Sequence, residues 1–197
     1  TLHKYNPIEH ISTRIKSKES INKKLIKKGL DLNYENMVKT INDIAGIRII
    51  CSFIPDIFKV VEIFENMQDI KILKKKDYVT TPKESGYSSY HLIIAVPVSL
   101  SVGTVAVKVE VQIRTMAMDF WASLEHKINY KYDKQVPKGI KKELKECAKM
   151  TQKLDKRMSH LGRNLMEEEK QIIKEITAEY TTVYNTSAAL LTGNVSG

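Results

Sequence analysis

The sequence predicts an α+β fold in which a small mixed, largely antiparallel sheet is flanked by helices and followed by a C-terminal helical extension. Three observations support this prediction. Residues 44–53 (IAGIRIICSF) form the Ile-rich run that is typical of a buried strand. Two apolar runs, residues 90–98 and 104–113, are joined by a short turn, which indicates a hairpin. Beyond Pro137, apolar residues recur every three or four positions, which indicates a long helix.

The remaining elements follow from local patterns in the first ninety or so residues. We expect a helix over residues 17–28, a short helix over residues 34–42 and a third helix that begins at Pro55. Residues 70–73 predict a short edge strand that leads into a basic run. Residues 77–89 contain proline and glycine among polar residues and predict a loop.

The second strand of the hairpin alternates between apolar and polar residues. Its odd-numbered positions from 105 to 113 are valine or isoleucine, so they share one face, and Lys108, Glu110 and Gln112 share the other. A helix is predicted next, over residues 115–132. We expect one face of this helix to lie in the core, and that face consists of Met116, Phe120, Leu124 and Ile128.

These patterns divide the chain into three parts. We expect one folded domain over residues 1–135, a helical extension over residues 136–185 and a flexible tail over residues 186–197. The extension carries an apolar stripe of Leu144, Cys147, Met150, Leu154, Met158, Leu161 and Leu165. Such a stripe is typical of a helix that packs on a partner, which is either another copy of the chain or the chain's own domain.

The composition is compatible with an anionic partner but does not require one. The 197 residues include 32 Lys and Arg against 23 Asp and Glu, which gives a formal net charge of +9. A nucleotide, a nucleic acid or an acidic surface would complement this charge, and a solvated Lys-rich surface would explain it equally well.

The cysteines and the apolar segments exclude several classes of protein. Cys51 lies in an apolar run and is expected to be a buried free thiol, and two isolated cysteines cannot form a structural zinc site. The most apolar stretch, residues 92–113, is interrupted by Pro97, Gly103 and Lys108, so it does not predict a membrane span. No signal segment opens this sequence, and we expect a cytoplasmic protein without a membrane partner.

Two acidic residues are candidates for chemistry. Asp43 lies directly before the Ile-rich strand, where an aspartate commonly ends a turn. Glu110 lies on the polar face of an otherwise apolar strand, and a carboxylate there is unfavourable unless it is paired or bound to a metal. If the two strands are neighbours, the two carboxylates could hold a hard cation such as Mg²⁺.

Two further clusters suit a nucleotide. Arg14 and Lys16 precede the first helix with a spacing of two, so an extended backbone would direct both side chains to the same side, towards a triphosphate. Residues 82–91 (PKESGYSSYH) combine loop tyrosines with hydrogen-bonding groups, which suits stacking on a nucleobase. The alternatives are a solvated basic surface and a polar loop with one tyrosine in the core.

Four segments, in order, resemble the synthetase domain of the RelA/SpoT family, and most closely its stand-alone members, the small alarmone synthetases. The segments are YNPIEHISTRIKSKESI, NDIAGIRIIC, DYVTTPKESGYSSYH and VEVQIRTMAMDFWASLEHKINYKY, between residues 5 and 132. The resemblance implies a nucleotidyltransferase-like sheet and Mg²⁺-dependent transfer of the β,γ-pyrophosphate of ATP to the ribose 3′-hydroxyl of GDP or GTP.

The resemblance also implies a donor site. Asp43 and Glu110 match the family's metal-binding and catalytic carboxylates, and Glu110 is expected to help deprotonate the acceptor hydroxyl. Arg14 and Arg48 match the pair expected to flank the adenine. The residues that match donors to the ATP phosphates are Lys16, Ser20 and Lys24.

The acceptor site that the resemblance implies lies in the third and fourth segments. Tyr87 matches the tyrosine that stacks on guanine. The residues expected near it are Lys83, His91 and Gln112. Asp119 occupies a position at which some relatives carry asparagine.

The resemblance leaves three functional hypotheses. The first is an alarmone synthetase that makes but does not degrade ppGpp and pppGpp and forms a homotetramer through its C-terminal helices. The second is a toxin-like relative that places pyrophosphate on adenine nucleotides or on the 3′ end of tRNA. The third is a non-catalytic nucleotide- or RNA-binding module. An RNA partner is compatible with the charge of +9 but is not expected under the first hypothesis.

Overall fold

The computed structural model describes residues 6–101, 103–133 and 135–193 of the chain. Within these ranges, the description leaves out the side chains at positions 100, 165, 166, 168–170, 172, 173 and 179–193. The strands of the described part are β1 (Ile8–Ile15), β2 (Ala45–Cys51), β3 (Lys71–Asp77), β4 (Tyr90–Leu100) and β5 (Gly103–Thr115). Its helices are α1 (Lys18–Lys27), α2 (Tyr34–Thr40), α3 (Ile54–Asn66), α4 (Met116–Lys131) and α5 (Lys138–Gly193).

The strands form one sheet in the order β1-β2-β5-β4-β3. The pair β2 and β5 is parallel, and the other three neighbouring pairs are antiparallel. The predicted α+β fold with a mixed, largely antiparallel sheet is therefore confirmed. A parallel pair requires a long crossover, and here the crossover consists of α3, β3 and β4.

One face of the sheet forms the hydrophobic core. The alternation of β5 places Val111 and Ile113 on this face, and both are fully buried. Helix α3 covers the face with Ile57, Val60 and Val61, which recur at helical spacing. Because this face is closed by α3, the even-numbered residues of β5 belong to the opposite, polar face of the sheet.

Cys51 belongs to the same core. Its thiol is fully buried and free, as the sequence predicts, whereas Cys147 is free and exposed. Burial, together with the charges of Asp56 and Glu9, raises the pKa of the Cys51 thiol to about 12. The thiol is therefore protonated at neutral pH and behaves as a small apolar side chain.

Two strands are longer than the sequence predicts. Residues 8–15, for which the sequence indicates only an extended segment near Arg14, form β1 by pairing with β2. Strand β3 continues to Asp77, so the basic run Lys74 to Lys76 belongs to the edge strand itself. Pairing with β4 holds these lysines in extended conformation despite their modest preference for strands.

The prediction of the core face of α4 is wrong. Met116, Phe120 and Leu124 are 55%, 65% and 39% exposed, and Ile128 is half-buried. The helix contains a second apolar face, which is the buried one and consists of Met118, Trp121 and Ala122. This face of α4 is buried because it includes Trp121, whose side chain has the largest apolar surface to remove from water.

The first part of α5 packs on the domain. Ala148 is 2% exposed and lies in a small buried cluster with Trp121 and Ala122. The indole Nε1 of Trp121 donates a hydrogen bond of 2.9 Å to the backbone oxygen of Leu144. Consequently the compact unit that contains the sheet runs beyond residue 135 and ends at Lys156.

A second compact unit begins at Arg157 and consists of the rest of the chain. Its described part is helical as far as Gly193, so the helix includes residues 186–193, which the sequence predicts as a tail. Residues 194–197 and the side chain of Leu165 in the predicted stripe lie outside the described residues. Among the described helices, none combines the length and apolar composition needed to cross a membrane.

The buried Asp155 makes the stability of this fold depend on pH. Its carboxylate accepts a hydrogen bond of 2.7 Å from Thr115 Oγ1 and is 5% exposed. Burial raises the pKa of Asp155 above its ordinary value, although the bond from Thr115 acts in the opposite direction. A raised pKa means that folding is favoured while the carboxyl is protonated, and that this contribution is lost as the pH rises through the raised pKa.

We therefore expect Asp155→Asn, which keeps an oxygen acceptor for Thr115, to raise the melting temperature more at about pH 7 than at about pH 4. For a chain of this size, each kcal/mol added to the free energy of unfolding raises the melting temperature by about 2–4 °C. Differential scanning fluorimetry at both pH values measures the effect, with Asp69→Asn at an exposed position as the matched control. An equal gain at both pH values, or a loss at neutral pH, would contradict the prediction.

Candidate active site

The polar face of the sheet brings together residues that are distant in sequence. In the register of β1, β2 and β5, Gly46 lies opposite both Arg14 and Glu110. Two residues further along β2, Arg48 lies opposite Gln112. Directly paired residues point to the same side of a sheet, so these side chains share one face. The strands that carry Arg48 and Glu110 are thus neighbours, as a common site requires.

A cavity of about 230 Å³ lies on this face. Its lining residues are Ser12, Thr13, Arg14, Gly46, Ile47, Arg48, Glu110 and Gln112. Gly46 lies directly beneath the Arg14 side chain, since a Cβ atom at position 46 would lie 3.4 Å from two side-chain atoms of Arg14.

Asp43 is held by two lysines at the start of β2. Lys16 Nζ lies 2.6 Å from Asp43 Oδ2, and Lys24 Nζ lies 2.7 Å from Oδ1. Burial alone would raise the pKa of the Asp43 carboxyl, but the hydrogen bonds from Lys16 and Lys24 hold that pKa below its ordinary value. Asp43 is therefore ionised at neutral pH, and the ammonium groups of Lys16 and Lys24 contact its carboxylate.

Glu110 is held by two neighbours on the polar face. Gln112 Nε2 donates a hydrogen bond of 3.0 Å to Glu110 Oε2, and His91 Nδ1 lies 3.5 Å from Oε1. Burial opposes ionisation of Glu110, yet the interactions with His91 and Gln112 lower its pKa below the ordinary value. The negative charge of Asp43 acts on Glu110 in the opposite sense, so the two carboxylates share one electrostatic environment.

A second cavity, of about 200 Å³, is lined by both carboxylates. Two lysines of the edge strand, Lys74 and Lys76, also line it. The site residues that the family resemblance implies do not include these two lysines. They are found there because they lie opposite Ile93 and His91 of β4 and so share the polar face. Their charges add to those of Lys16 and Lys24 around the carboxylate pair.

Ser20 lies in the first turn of α1, on the side of the helix that carries Lys24 one turn later. Ser17 caps this helix: its Oγ accepts the backbone N–H of Ser20 and donates to Ser20 Oγ at 3.0 Å. Ser20 is exposed. Within the predicted group, Lys16 precedes α1, Ser20 lies in its first turn and Lys24 lies in its last turn. The two lysines meet at Asp43.

The tyrosine predicted to bind a base lies at the other end of this face. Tyr87 Oη is 2.8 Å from His91 Nε2 and accepts a hydrogen bond of 2.7 Å from Arg114 Nη2. Lys83 Nζ lies 4.6 Å from the centroid of the Tyr87 ring and 4.7 Å from that of Tyr78. With a neutral imidazole, Tyr87 donates its proton to His91 Nε2, and the proton on His91 Nδ1 faces Glu110.

Arg114 is the residue that organises this end of the site, and the sequence analysis does not assign it a role. It is 5% exposed and has four hydrogen-bond acceptors. One acceptor is the Tyr87 hydroxyl, and the other three are Gln112 Oε1 at 2.8 Å, Asp119 Oδ1 at 3.0 Å and Ser89 Oγ at 3.3 Å. Its even position in β5 places it on the polar face after Glu110 and Gln112, so strand alternation could have identified it.

Asp119 joins the two ends of the face. Its Oδ1 lies 3.0 Å from Arg114 Nη1 and 3.3 Å from Arg48 Nη1. Among the described residues, the Nε atom of Arg48 is buried and has no hydrogen-bond partner. An unpaired buried donor is unfavourable, so the arginine on the polar face retains hydrogen-bonding capacity for a ligand.

The structure brings together most of the residues that the resemblance assigns to the site, whereas the exposed Ser20 lines neither cavity. Arg14, Arg48 and Gln112 line the first cavity, and Lys24, Asp43 and His91 line the second, with Glu110 shared between them. Lys83 and Tyr87 are joined to the second group through His91. The role of each residue stays a prediction.

Comparison with known proteins identifies the family. A sequence profile described as "Region found in RelA / SpoT proteins" matches residues 13–135. The chain belongs to the RelA/SpoT family. It is 56% identical over 137 residues to GTP pyrophosphokinase YwaC of Bacillus subtilis, an alignment that covers 70% of this chain and 65% of that relative. This chain therefore matches just under two thirds of the length of that relative.

Solved structures of family members share the fold. Small alarmone synthetase 1 from Bacillus subtilis, bound to its product pppGpp, superposes with a TM-score of 0.78 and 36% identity over 83% of each chain. The same protein bound to AMPCPP superposes with a TM-score of 0.71 and 34% identity, covering 84% of this chain and 82% of that one. The first of these two structures therefore contains the product of that enzyme, and the second contains AMPCPP.

The four bonds of Arg114 give a prediction. A lysine keeps the charge but has one nitrogen, so Arg114→Lys cannot satisfy Tyr87, Gln112 and Asp119 together. We expect the free energy of unfolding to fall by about 1–3 kcal/mol, because buried acceptors lose their donors. Urea denaturation measures this loss.

Arg163→Lys, the same substitution at an exposed position of α5, is the matched control and should change the free energy of unfolding by less than about 0.5 kcal/mol. Equal stability of the two variants would show that Arg114 does not hold the site together.

Proposed function

We propose that this protein transfers the β,γ-pyrophosphate of ATP to the ribose 3′-hydroxyl of GDP or GTP and so makes ppGpp or pppGpp. The observation that carries the proposal is the position of Glu110. This carboxylate borders the cavity of Arg14 and Arg48 on one side, and through His91 it is connected to Tyr87 on the other. A relative that is named a GTP pyrophosphokinase supports the same reaction.

On the donor side, Arg14 and Arg48 would flank the adenine. Both arginines line the first cavity, which supports this role. Guanidinium groups stack well on aromatic faces, and Arg48 retains an unpaired N–H donor for the nucleotide.

The phosphates would be bound by Lys16, Ser20 and Lys24. Both lysines form ion pairs with Asp43. A triphosphate offers these ammonium groups more negative charge than one carboxylate does, so we expect them to move to the phosphates when ATP binds. The exchange would free the oxygens of Asp43.

A Mg²⁺ ion fits the oxygens that would then be available. Magnesium is usually bound by one or two carboxylates together with substrate phosphates and water, and Asp43 and Glu110 supply such a pair. Among the described residues there is no group of three His, Cys, Asp or Glu side chains suited to a metal. The protein would therefore share the ion with its substrate. When bound, Mg²⁺ would neutralise charge on the transferred group.

On the acceptor side, Tyr87 would stack on the guanine, with Lys83 over the same ring and Gln112 and His91 along the path to Glu110. The depressed pKa of Glu110 keeps it ionised at neutral pH. An ionised carboxylate can accept a hydrogen bond from the 3′-hydroxyl and orient its oxygen towards the β-phosphorus. Since pyrophosphate transfer depends mainly on positioning and charge, no covalent nucleophile is needed.

We also propose that the chain is a homotetramer assembled through α5. The supporting observation is the stripe of large apolar side chains that this helix exposes. Met150, Leu154, Met158 and Leu161 are 62%, 54%, 45% and 54% exposed. Apolar side chains recurring at this spacing are typical of a helix that packs against another helix. Location in the cytoplasm remains a prediction of the sequence.

The first experiment tests the reaction and names the acceptor. We expect γ-³²P-labelled ATP with Mg²⁺ to transfer label to GDP or GTP, and Glu110→Gln to reduce the rate by at least about a hundredfold through loss of the carboxylate. Thin-layer chromatography after incubation with guanine nucleotides, adenine nucleotides or tRNA measures the transfer. Glu62→Gln, at an exposed position of α3, is the matched control.

Transfer of label to adenine nucleotides or tRNA would contradict the proposed acceptor but not the fold. Lys74 and Lys76, which line the cavity beside Glu110, would then be the first residues to examine. If nucleotides bind in calorimetry but label moves to no acceptor, the binding-module hypothesis would stand instead.

The second experiment tests the assembly. A charge within the apolar stripe is expected to prevent helix packing, so Leu154→Glu should reduce the particle mass to that of one chain or a dimer. Light scattering coupled to size-exclusion chromatography measures the mass, and Lys153→Glu, at the adjacent exposed position, is the control. A tetramer that survives Leu154→Glu, or a monomeric wild type, would refute assembly through this stripe.

A further inference from the structure

The loop that carries Tyr87 rests on α5. Tyr87 is half-buried and packs against the cluster formed by Trp121, Ala122 and Ala148. The ring that we assign to guanine therefore has side chains of α4 and α5 behind it. The segment between β3 and β4 that contains Tyr87 has no helix or strand of its own, so its position depends on such contacts.

Gly86 marks the closest approach between this loop and α5. A Cβ atom at Gly86 would lie 2.3 Å from the Cβ of Ala148, a separation that real Cβ atoms do not adopt. The backbone of Gly86 has φ of +94°, which disfavours other residues in any case. The loop can lie this close to the helix only because both positions carry the smallest side chains.

Gln152, one helical turn after Ala148, reaches the same loop. Its Nε2 lies 3.4 Å from the backbone oxygen of Gly86 and 3.5 Å from Ser88 Oγ. These are long hydrogen bonds and individually weak. They nevertheless contact the residues on either side of Tyr87, so one side chain of α5 restrains the loop before and after the tyrosine.

The supporting part of α5 is itself fixed to the domain on both sides of Ala148. Before it, the backbone oxygen of Leu144 accepts the hydrogen bond from Trp121. After it, Asp155 accepts the bond from Thr115, the residue that follows Arg114 in β5. The helix is therefore anchored to the same elements that hold the Tyr87 hydroxyl, and it presents a fixed surface to the loop.

We propose that Ala148 and Gln152 are positioning residues for the acceptor nucleotide. They fix the distance of the Tyr87 loop from α5 and so place the ring where a guanine can stack on it, although neither residue touches the nucleotide. This inference rests on the proposed function. It also extends the acceptor site beyond residues 13–135, the region matched by the family profile, into the helix that follows.

Enlarging Ala148 tests the proposal. Ala148→Leu would push the loop away from the helix, so we expect the KM for GDP and its Kd to rise about tenfold or more. The KM for ATP and the kcat at saturating GDP should change by less than about twofold, because the donor site does not contact this helix. A merely structural defect would instead lower kcat or affect both substrates. Ala178→Leu, the same substitution at an exposed position of α5, is the control.

A double-mutant cycle tests the contact itself. Gly86→Ala introduces the overlapping Cβ, and Ala148→Gly removes its counterpart, after which the next atoms lie at the ordinary distances of 3.8 and 3.9 Å. We expect Ala148→Gly to restore part of the GDP affinity lost in Gly86→Ala. The backbone strain of an alanine at positive φ should prevent full recovery.

The Kd of GDP, measured by isothermal titration calorimetry, separates this inference from the proposed function. A wild type that binds GDP but transfers no label would disprove the reaction and leave the positioning role testable. An unchanged GDP affinity in Ala148→Leu, together with additive effects in the cycle, would overturn the positioning role even in an active enzyme.

Discussion

The parallel pairing of β2 with β5 is the constraint on which the site depends. It sets Gly46 beside Glu110 and Arg48 beside Gln112, and it requires the long crossover through α3, β3 and β4. The same register directs Val111 and Ile113 into the core below α3. A slip by one residue would exchange the two faces and bury the polar side chains. Apolar packing on one side of the sheet therefore enforces the geometry of the polar side.

Neighbouring side chains compensate both carboxylates of the site. Asp43 is neutralised by Lys16 and Lys24, and Glu110 has His91 and Gln112. Without these partners, burial would shift both carboxyls towards the neutral form, which can neither hold a cation nor accept a proton from a hydroxyl. Part of the excess positive charge of the chain, on Lys16 and Lys24, therefore keeps Asp43 ionised in a partly buried site.

The sequence could predict those parts of the site that lie in regular patterns. Strand alternation identified the polar positions Glu110 and Gln112 and would have included Arg114. The family resemblance supplied the residues that occur in loops and before helices, such as Lys83 and Asp43, for which local spacing gives no direction. Helix α4 could not be oriented from its sequence, because it has two apolar faces and only tertiary packing selects between them. The contact of Gly86 with Ala148 was also beyond prediction, since no local pattern connects the loop with the later helix.

The lysines of β3 have a consequence for the solution behaviour of the protein. This strand lies at one end of the sheet, where unpaired backbone groups could recruit a strand from another molecule and start aggregation. Four of its seven residues are lysines, namely Lys71 and Lys74 to Lys76, and their mutual repulsion opposes such association. Lys74 and Lys76 also line the cavity beside Glu110. The same two side chains therefore contribute both to the charge that protects the edge of the sheet and to the positive charge of the cavity.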